Sequence, residues 1–400
     1  MKTYIFRNPP RSSCTLAQFV LLQEHYQNMV YAAFLALSLA HGGHEGHFGC
    51  LHEWAMGEYD VLAATELLKA PEPYAPAALT AEESVFMTNV KQLTFGGQNA
   101  EAYWDRTGKH IVYQTRQPEF PDEQIMTMRA DGSRKKLIST GLGRCTCSYF
   151  TPDNRSIYFS STHEKNVGAQ KPLDMSKGYL WMVNPDFALY RTKVDGTGIT
   201  PVLKLPGYIA ETTIDPNGKY MTFTSNYEGD LEIYRANLDG SNIQRLTNEP
   251  GYDGGPFVSW DGKKIVYRRD RIDNPEELAD YKKLLSENLV RPGKLEIWIM
   301  DADGKNKKQV TNLGCASFAP FLHPNGKTII FASNYGDPKG REFDLFVVNV
   351  DGTGLRRVTN TPEFDGFPMW SRDGKKLIWG SNRNGKVRGE TNIFVADWKG

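Results

Sequence analysis

The chain has 400 residues, a formal net charge of zero at neutral pH and 24% charged side chains. That profile suits a globular protein with a large core, and the balanced charge gives no reason to expect a nucleic-acid or bulk membrane partner, which select for basic excess. Gly (37), Pro (22) and 12% aromatic residues point to many short strands joined by tight turns.

Residues 1–40 form no recognisable element except Val30–Ala40, "VYAAFLALSLA", a short apolar run with a small-residue exit. Its length fits the apolar region and cleavage site of a signal peptide and is too short for a transmembrane helix. Met29 is then an alternative start. The expected location is periplasmic or secreted, and cytoplasmic if the run is instead a buried helix. Residues 41–79 follow as a His-rich segment and a helix. His41, His44, His47 and His52 cluster with Glu45 and Cys50, which makes them the chain's candidate for a divalent metal. Their spacing matches no standard site, and no other cofactor is expected. The helix, about His52 to Lys69, would pack through Trp54, Val61, Leu62 and Leu68. The five cysteines, Cys14, Cys50, Cys145, Cys147 and Cys315, are odd in number and irregular in spacing, so they define no disulfide framework.

From residue 80 to 400 the chain repeats. "AEAYWDRTGKHIVYQTR" (Ala100–Arg116) returns as "CSYFTPDNRSIYFSSTH", "ETTIDPNGKYMTFTSNYEGD", "DGGPFVSWDGKKIVYRRD", "FAPFLHPNGKTIIFASNYGD" and "FDGFPMWSRDGKKLIWGSNRNG". A second motif, such as "EIWIMDADG", and a third, such as "KKQVTN", follow all but the last. Each unit reads as four strands, a to d. The a–b and c–d connections are Asp/Asn-Gly turns, where positive φ matches hairpin twist. One such sheet cannot bury both faces, so several must stack around an axis as a β-propeller. The sixth unit stops at Gly400, where strand d should begin, and an orphan strand d, "NVKQLTF", precedes the first unit. The expectation is therefore an all-β, six-bladed propeller whose N-terminal strand closes the last blade, with a short helical extension before it.

The a–b and c–d turns are 24, 42, 22, 42, 26 and 26 residues apart in the six units, so blades two and four carry insertions between strands b and c. In blade four, "DNPEELADYKKLLSENLVRPG" begins with a helix signal: Pro275 in the first turn, acids after it, and Leu278, Tyr281, Leu284 and Leu285 on one face. In blade two, Glu164–Tyr179 is polar and irregular. Loops b–c and d–a share one end of the ring, so one face is decorated and the other consists of tight turns.

The repeat "LTNEPGYDGGPFVSWDGKKIVY…LEIWIMDADGKNKKQVTN" closely resembles the TolB-type, WD40-like propeller repeat, from about Asn89 to Gly400. The resemblance implies the fold. It leaves function open, since related propellers are periplasmic scaffolds, gates beside peptidase domains, and lyases.

Candidate site residues lie on the decorated face. Glu101, Arg144, Glu211, Asp253, Ser317 and Asp365 lead into strand a and are placed at the channel mouth. Four of these six are acids, which suits a ring that binds a cation or a basic peptide group, or acids that bond backbone amides of the next blade. His163, Arg268, Asn334 and Arg383 sit at or just after strand b. His163 and Arg144 are the candidate acid–base or anion-binding pair. The chain has no G-x-S-x-G elbow, no H-E-x-x-H and no P-loop. The favoured reading is a non-catalytic, exported propeller that binds a protein or peptide partner on the insertion face, with carbohydrate as a second ligand class. The alternative is a propeller lyase or hydrolase with a His/Arg/carboxylate site at the channel mouth.

Overall fold

The computed structural model describes residues 78–174, 178–270, 272–362 and 364–400. The Val30–Ala40 run, the His41–His52 cluster and the expected helix over His52–Lys69 lie outside the described residues. The repeats form six four-stranded antiparallel sheets. Their strands a are Gln98–Trp104, Cys145–Phe150, Ile209–Ile214, Asp253–Val258, Ser317–Leu322 and Asp365–Trp370. Each pairs with a strand b, then c, then d, moving outward from the axis.

The turns behave as their residues require. Gly108, Gly218, Gly262, Gly326 and Gly374 close the a–b turns at φ between 67° and 72°, and Asn154 takes the same role at 55°. Trp104, Trp370 and Trp379 from strands a and b are 2% exposed or less, so the aromatic excess is mostly spent between blades.

A second device recurs at the outer strands. The Thr of "LTN" or "VTN" accepts the amide of strand c, as Thr311 Oγ1 does from Ile297 N at 2.8 Å and Thr359 Oγ1 from Leu345 N at 2.9 Å. The same hydroxyl donates to a buried polar residue that opens strand c: Thr311 to Glu296 at 2.6 Å, Thr94 to Asn392 at 3.2 Å. The threonine of this signature is therefore a clasp between strands c and d.

Ring closure follows the sequence expectation. Met87–Gln92 pairs with Asn392–Trp398 as the fourth strand of blade six, Met87 opposite Trp398. This pairing joins the first and last repeats in one sheet and covers the strand-c edge of blade six. Arg383 reinforces the seam: its Nη2 donates to Glu83 Oε1 at 2.9 Å and Asp365 Oδ1 at 3.3 Å, all three side chains being buried.

The blade-four insertion contains helix α1, Pro275–Ser286, capped by Asn274, whose side chain accepts from Glu277 N at 2.9 Å. Tyr281 and Leu284 are buried, and Leu278 and Leu285 pack beside them. The blade-two insertion does something the sequence did not announce. Its Trp181–Met182 pairs antiparallel with Leu289–Val290 of blade four, Trp181 opposite Val290. The two insertions thus form a single strap across the face of blade three. Among the described residues, no helix is long and apolar enough to cross a membrane.

A polar recess at the channel mouth

The channel is built by one repeated distortion. In every blade the a–b register slips between the second and fifth residues of the aligned strand a, as between Ala210 and Thr213. The residue inside each bulge has positive φ: Glu101 (50°), Cys147 (53°), Glu211 (59°), Gly255 (58°), Ala319 (51°) and Phe367 (55°). A bulge adds one residue to strand a and re-aims its side chain, and all six of these residues line the channel recess. Two positions further on, Tyr103, Tyr149, Thr213, Phe257, Phe321 and Met369 form the next layer. Tyr103 and Phe257 belong to opposite blades, yet their ring centroids are 5.3 Å apart. Aromatic contact across the axis therefore closes the channel and makes a floor.

Above that floor lies a small recess, open towards the insertion face. Arg268 reaches it from strand b of blade four and pairs with Glu211 Oε1 and the Tyr252 hydroxyl. Glu211 also accepts from Tyr252 Oη at 2.9 Å and from Gly255 N at 2.8 Å. Burial alone would raise the Glu211 carboxyl. The Arg268 charge and these hydrogen bonds outweigh it and hold the group below the usual carboxylate range. Gly255 is what makes room, since a Cβ there would lie 2.1 Å from Arg268 Nη1. Glu101 faces the same recess without a cation partner among the described residues. Burial pushes its carboxyl up to about 7, with a hydrogen bond from the Cys147 thiol pulling the other way. Trp181 of the strap stands over the mouth, its ring 5.2 Å from the Arg268 guanidinium and 5.6 Å from Phe318.

The residues singled out from sequence separate into groups. Glu101, Glu211 and Arg268 come together in the recess. Asp253, Ser317 and Asp365 lie two residues before the bulge and are buried between strands, not in the recess. Ser317 Oγ is 2.9 Å from Ser333 Oγ, and Asp365 accepts from Trp379 Nε1 at 2.9 Å and from Arg383. Asp253 is 3.7 Å from Arg269 Nε, and burial pushes its carboxyl well up. Arg144 pairs with Glu123 at 2.9 Å. Asn334 accepts from Ala316 N at 2.9 Å and donates to Gly340 O at 3.1 Å, tying strand b to the next loop. His163 packs 4.4 Å from the Tyr190 ring, with Nδ1 2.8 Å from Ser161 Oγ, and burial lowers its pKa. His163 and Arg144 do not meet in the recess. Cys147, Gly255, Phe367 and Trp181 were missed. The first three align with Glu101 and Glu211 in the repeat, so the signal was present two residues away.

Residues 280–400 match the family model described as the TolB beta propeller domain. No curated protein matches the chain. Among solved structures it resembles TolB from Acinetobacter baumannii (18% identity, TM-score 0.50, covering 76% of this chain and 64% of that one). It also resembles a putative TolB from Agrobacterium tumefaciens (18% identity, TM-score 0.51, 76% and 91%). A gluconolactonase from Xanthomonas campestris shares the architecture at 12% identity, TM-score 0.52, over 83% of this chain and 99% of that one. The chain spans about 64% of the length of the Acinetobacter protein. At these identities the structural likeness speaks for the fold alone. Six four-stranded blades closed in a ring make the described part of the chain a β-propeller, and its residues 280–400 match the TolB beta propeller domain.

Proposed function

We propose that this protein is an exported, non-catalytic binding propeller that docks a protein or peptide segment on its insertion face. One observation carries the reading. Among the described residues, the exposed large apolar side chains are Val85, Phe95, Leu142, Val167, Tyr179, Val194, Tyr335 and Val387. All but Val85 and Val194 sit on b–c or d–a loops, which share one face of the ring. Tight-turn faces and strand edges carry almost none. Apolar side chains held on one loop face by a rigid scaffold are the usual form of a docking surface. The positions of His163 and Arg144, each held by its own neighbours away from the recess, weigh against the lyase or hydrolase alternative. Export is part of the proposal and rests on the Val30–Ala40 run.

The test is selection of displayed random peptides on the immobilised protein, followed by affinity measurement with single variants. Leu142→Asp, Tyr335→Asp and Val387→Asp should each weaken selected peptides by about tenfold or more, the cost of one apolar anchor, about 1.4 kcal/mol. Val194→Asp, on a c–d turn, should leave them unchanged. Equal binding by all four variants would remove the basis for this reading.

A further inference from the structure

We infer that the recess at the channel mouth is a binding site for a cationic nitrogen group, an alkylammonium or guanidinium, received by the Glu101 carboxylate. This rests on the docking reading above and names the chemistry its centre selects.

Gly255 and Ala319 occupy the bulge position in blades four and five at φ 58° and 51°, so the distortion requires no acid. A glutamate there accepts a backbone conformation that glycine takes freely. Glu211 has an architectural explanation, because Arg268, Tyr252 and the Gly255 amide all bind it. Glu101 has none, its hydrogen bond from the Cys147 thiol being a weak one. It is a half-buried carboxylate aimed into the open recess without a cation partner among the described residues.

The surroundings favour a positive guest. The charged groups that act on Glu101 are Glu211, Arg268 and Arg144, and Glu211 acts more strongly than either arginine. Arg268 is already paired with Glu211, and Arg144 with Glu123. The walls are aromatic: Tyr103 and Phe257 below, Phe367 beside. Arg268 shows what a cation does in such company, since its guanidinium lies 4.6 Å from the Tyr252 ring centroid and 5.2 Å from that of Trp181. A second unbranched cation entering beneath Trp181 would meet a carboxylate and the same kind of ring face. The remaining titratable neighbours, Cys147 and Tyr103, are both pushed well up by burial and stay neutral.

The cation has two natural sources, a lysine or arginine side chain of a docked segment and a free diamine. The experiment is calorimetric titration of the full chain with four probes: cadaverine, N-acetyl-lysine methylamide, N-acetyl-arginine methylamide and the neutral N-acetyl-norleucine methylamide. Cationic probes should bind about tenfold or more tightly than the norleucine analogue, the equivalent of about 1.4 kcal/mol. Glu101→Gln should abolish that preference while its thermal melt stays near wild type. A second readout needs no variant: cation affinity of the wild type should fall between pH 8 and pH 5.5 as Glu101 protonates. A lysine or arginine analogue tighter than cadaverine assigns the site to a bound segment, and the reverse assigns it to a free amine. Equal binding of the norleucine analogue, no binding by any probe, or a preference that survives Glu101→Gln would overturn the inference. Selected peptides that lack basic residues and bind wild type and Glu101→Gln alike would also overturn it, while leaving the docking face standing. Failure of the Leu142, Tyr335 and Val387 variants to affect peptides, with Glu101-dependent cation binding intact, would do the opposite.

Discussion

Replacing Arg268 with methionine would leave Glu211 in the recess with no counter-charge. Arg268 is 6% exposed at its side chain and Glu211 14%, so water offers little rescue. Removing one partner of a buried ion pair costs about 3–5 kcal/mol. Glu211 keeps its bonds from Gly255 N and the Tyr252 hydroxyl. Since hydrogen bonds to a charged group are each worth about 1.5–3 kcal/mol, the lower end, about 3 kcal/mol, is expected. The pH dependence carries a sign. In the wild type the Glu211 carboxyl is held low, so its contribution is complete above the unfolded carboxylate pKa and is lost as pH falls through the folded value. In Arg268→Met the strongest lowering influence is gone, and burial, the largest single cause, raises the carboxyl against the hydrogen bonds that stay. The variant's deficit should therefore be largest near pH 8 and shrink towards pH 5 as Glu211 protonates. Urea unfolding followed by tryptophan fluorescence at both pH values measures this. Glu211→Gln combined with Arg268→Met should recover more than half of the loss. A deficit under about 1 kcal/mol at pH 8, the scale of a surface pair, or one that does not change with pH, would refute this account of the recess.

Other expectations follow from the same geometry. Gly255→Ala puts a Cβ 2.1 Å from Arg268 Nη1 at φ 58°, so strain of about 1–2 kcal/mol adds to displacement of the ion pair, and the urea midpoint should fall at least as far as for Arg268→Met. Thr311→Val strands the buried Ile297 amide and should cost about 1–3 kcal/mol. Hydrogen exchange at Ile297 should quicken, and Thr311→Ser should retain most of the protection. Burial lifts the carboxyls of Glu101, Glu123 and Asp344 to about 7. Raised acids stabilise the fold at low pH and lose that contribution as pH climbs through the folded value, so the wild-type urea midpoint should decline between pH 5 and pH 8. Asp344→Asn should reduce that slope, and an unchanged slope would show that Asp344 ionises normally.

The architecture was legible because it is repeated. Blade number, turn positions and the N-terminal closing strand follow from Asp/Asn-Gly spacing and from the orphan "NVKQLTF", and helix α1 from Pro275 and the acids after it. Repetition also misled. Asp253 and Asp365 share a register with Ser317, but the side chains that face the channel come two residues later, because strand a bulges in every blade. Alternation alone gives no sign of an inserted residue, so a register two places off looks equally regular. The Trp181–Leu289 strap was not legible, because two-residue strands carry no period and their pairing joins segments more than 100 residues apart. Arg383 is a different case. Its sequence position suggested a ligand-facing group, but Glu83 and Asp365 claim it for the seam, and no local pattern encodes a partner 300 residues away.

The six bulges have one more consequence. Each blade contributes one residue to the wall of the recess, and the present wall reads Glu, Cys, Glu, Gly, Ala, Phe from blade one to blade six. Those side chains project from strands whose hydrogen bonds and blade packing are set by other positions. In the proposed site, ligand preference rests on these six positions together with Arg268. Any one of them other than the coupled pair at blades three and four can change without redrawing the barrel around it. A propeller built this way can acquire a new guest by single substitutions while its fold stays as it is.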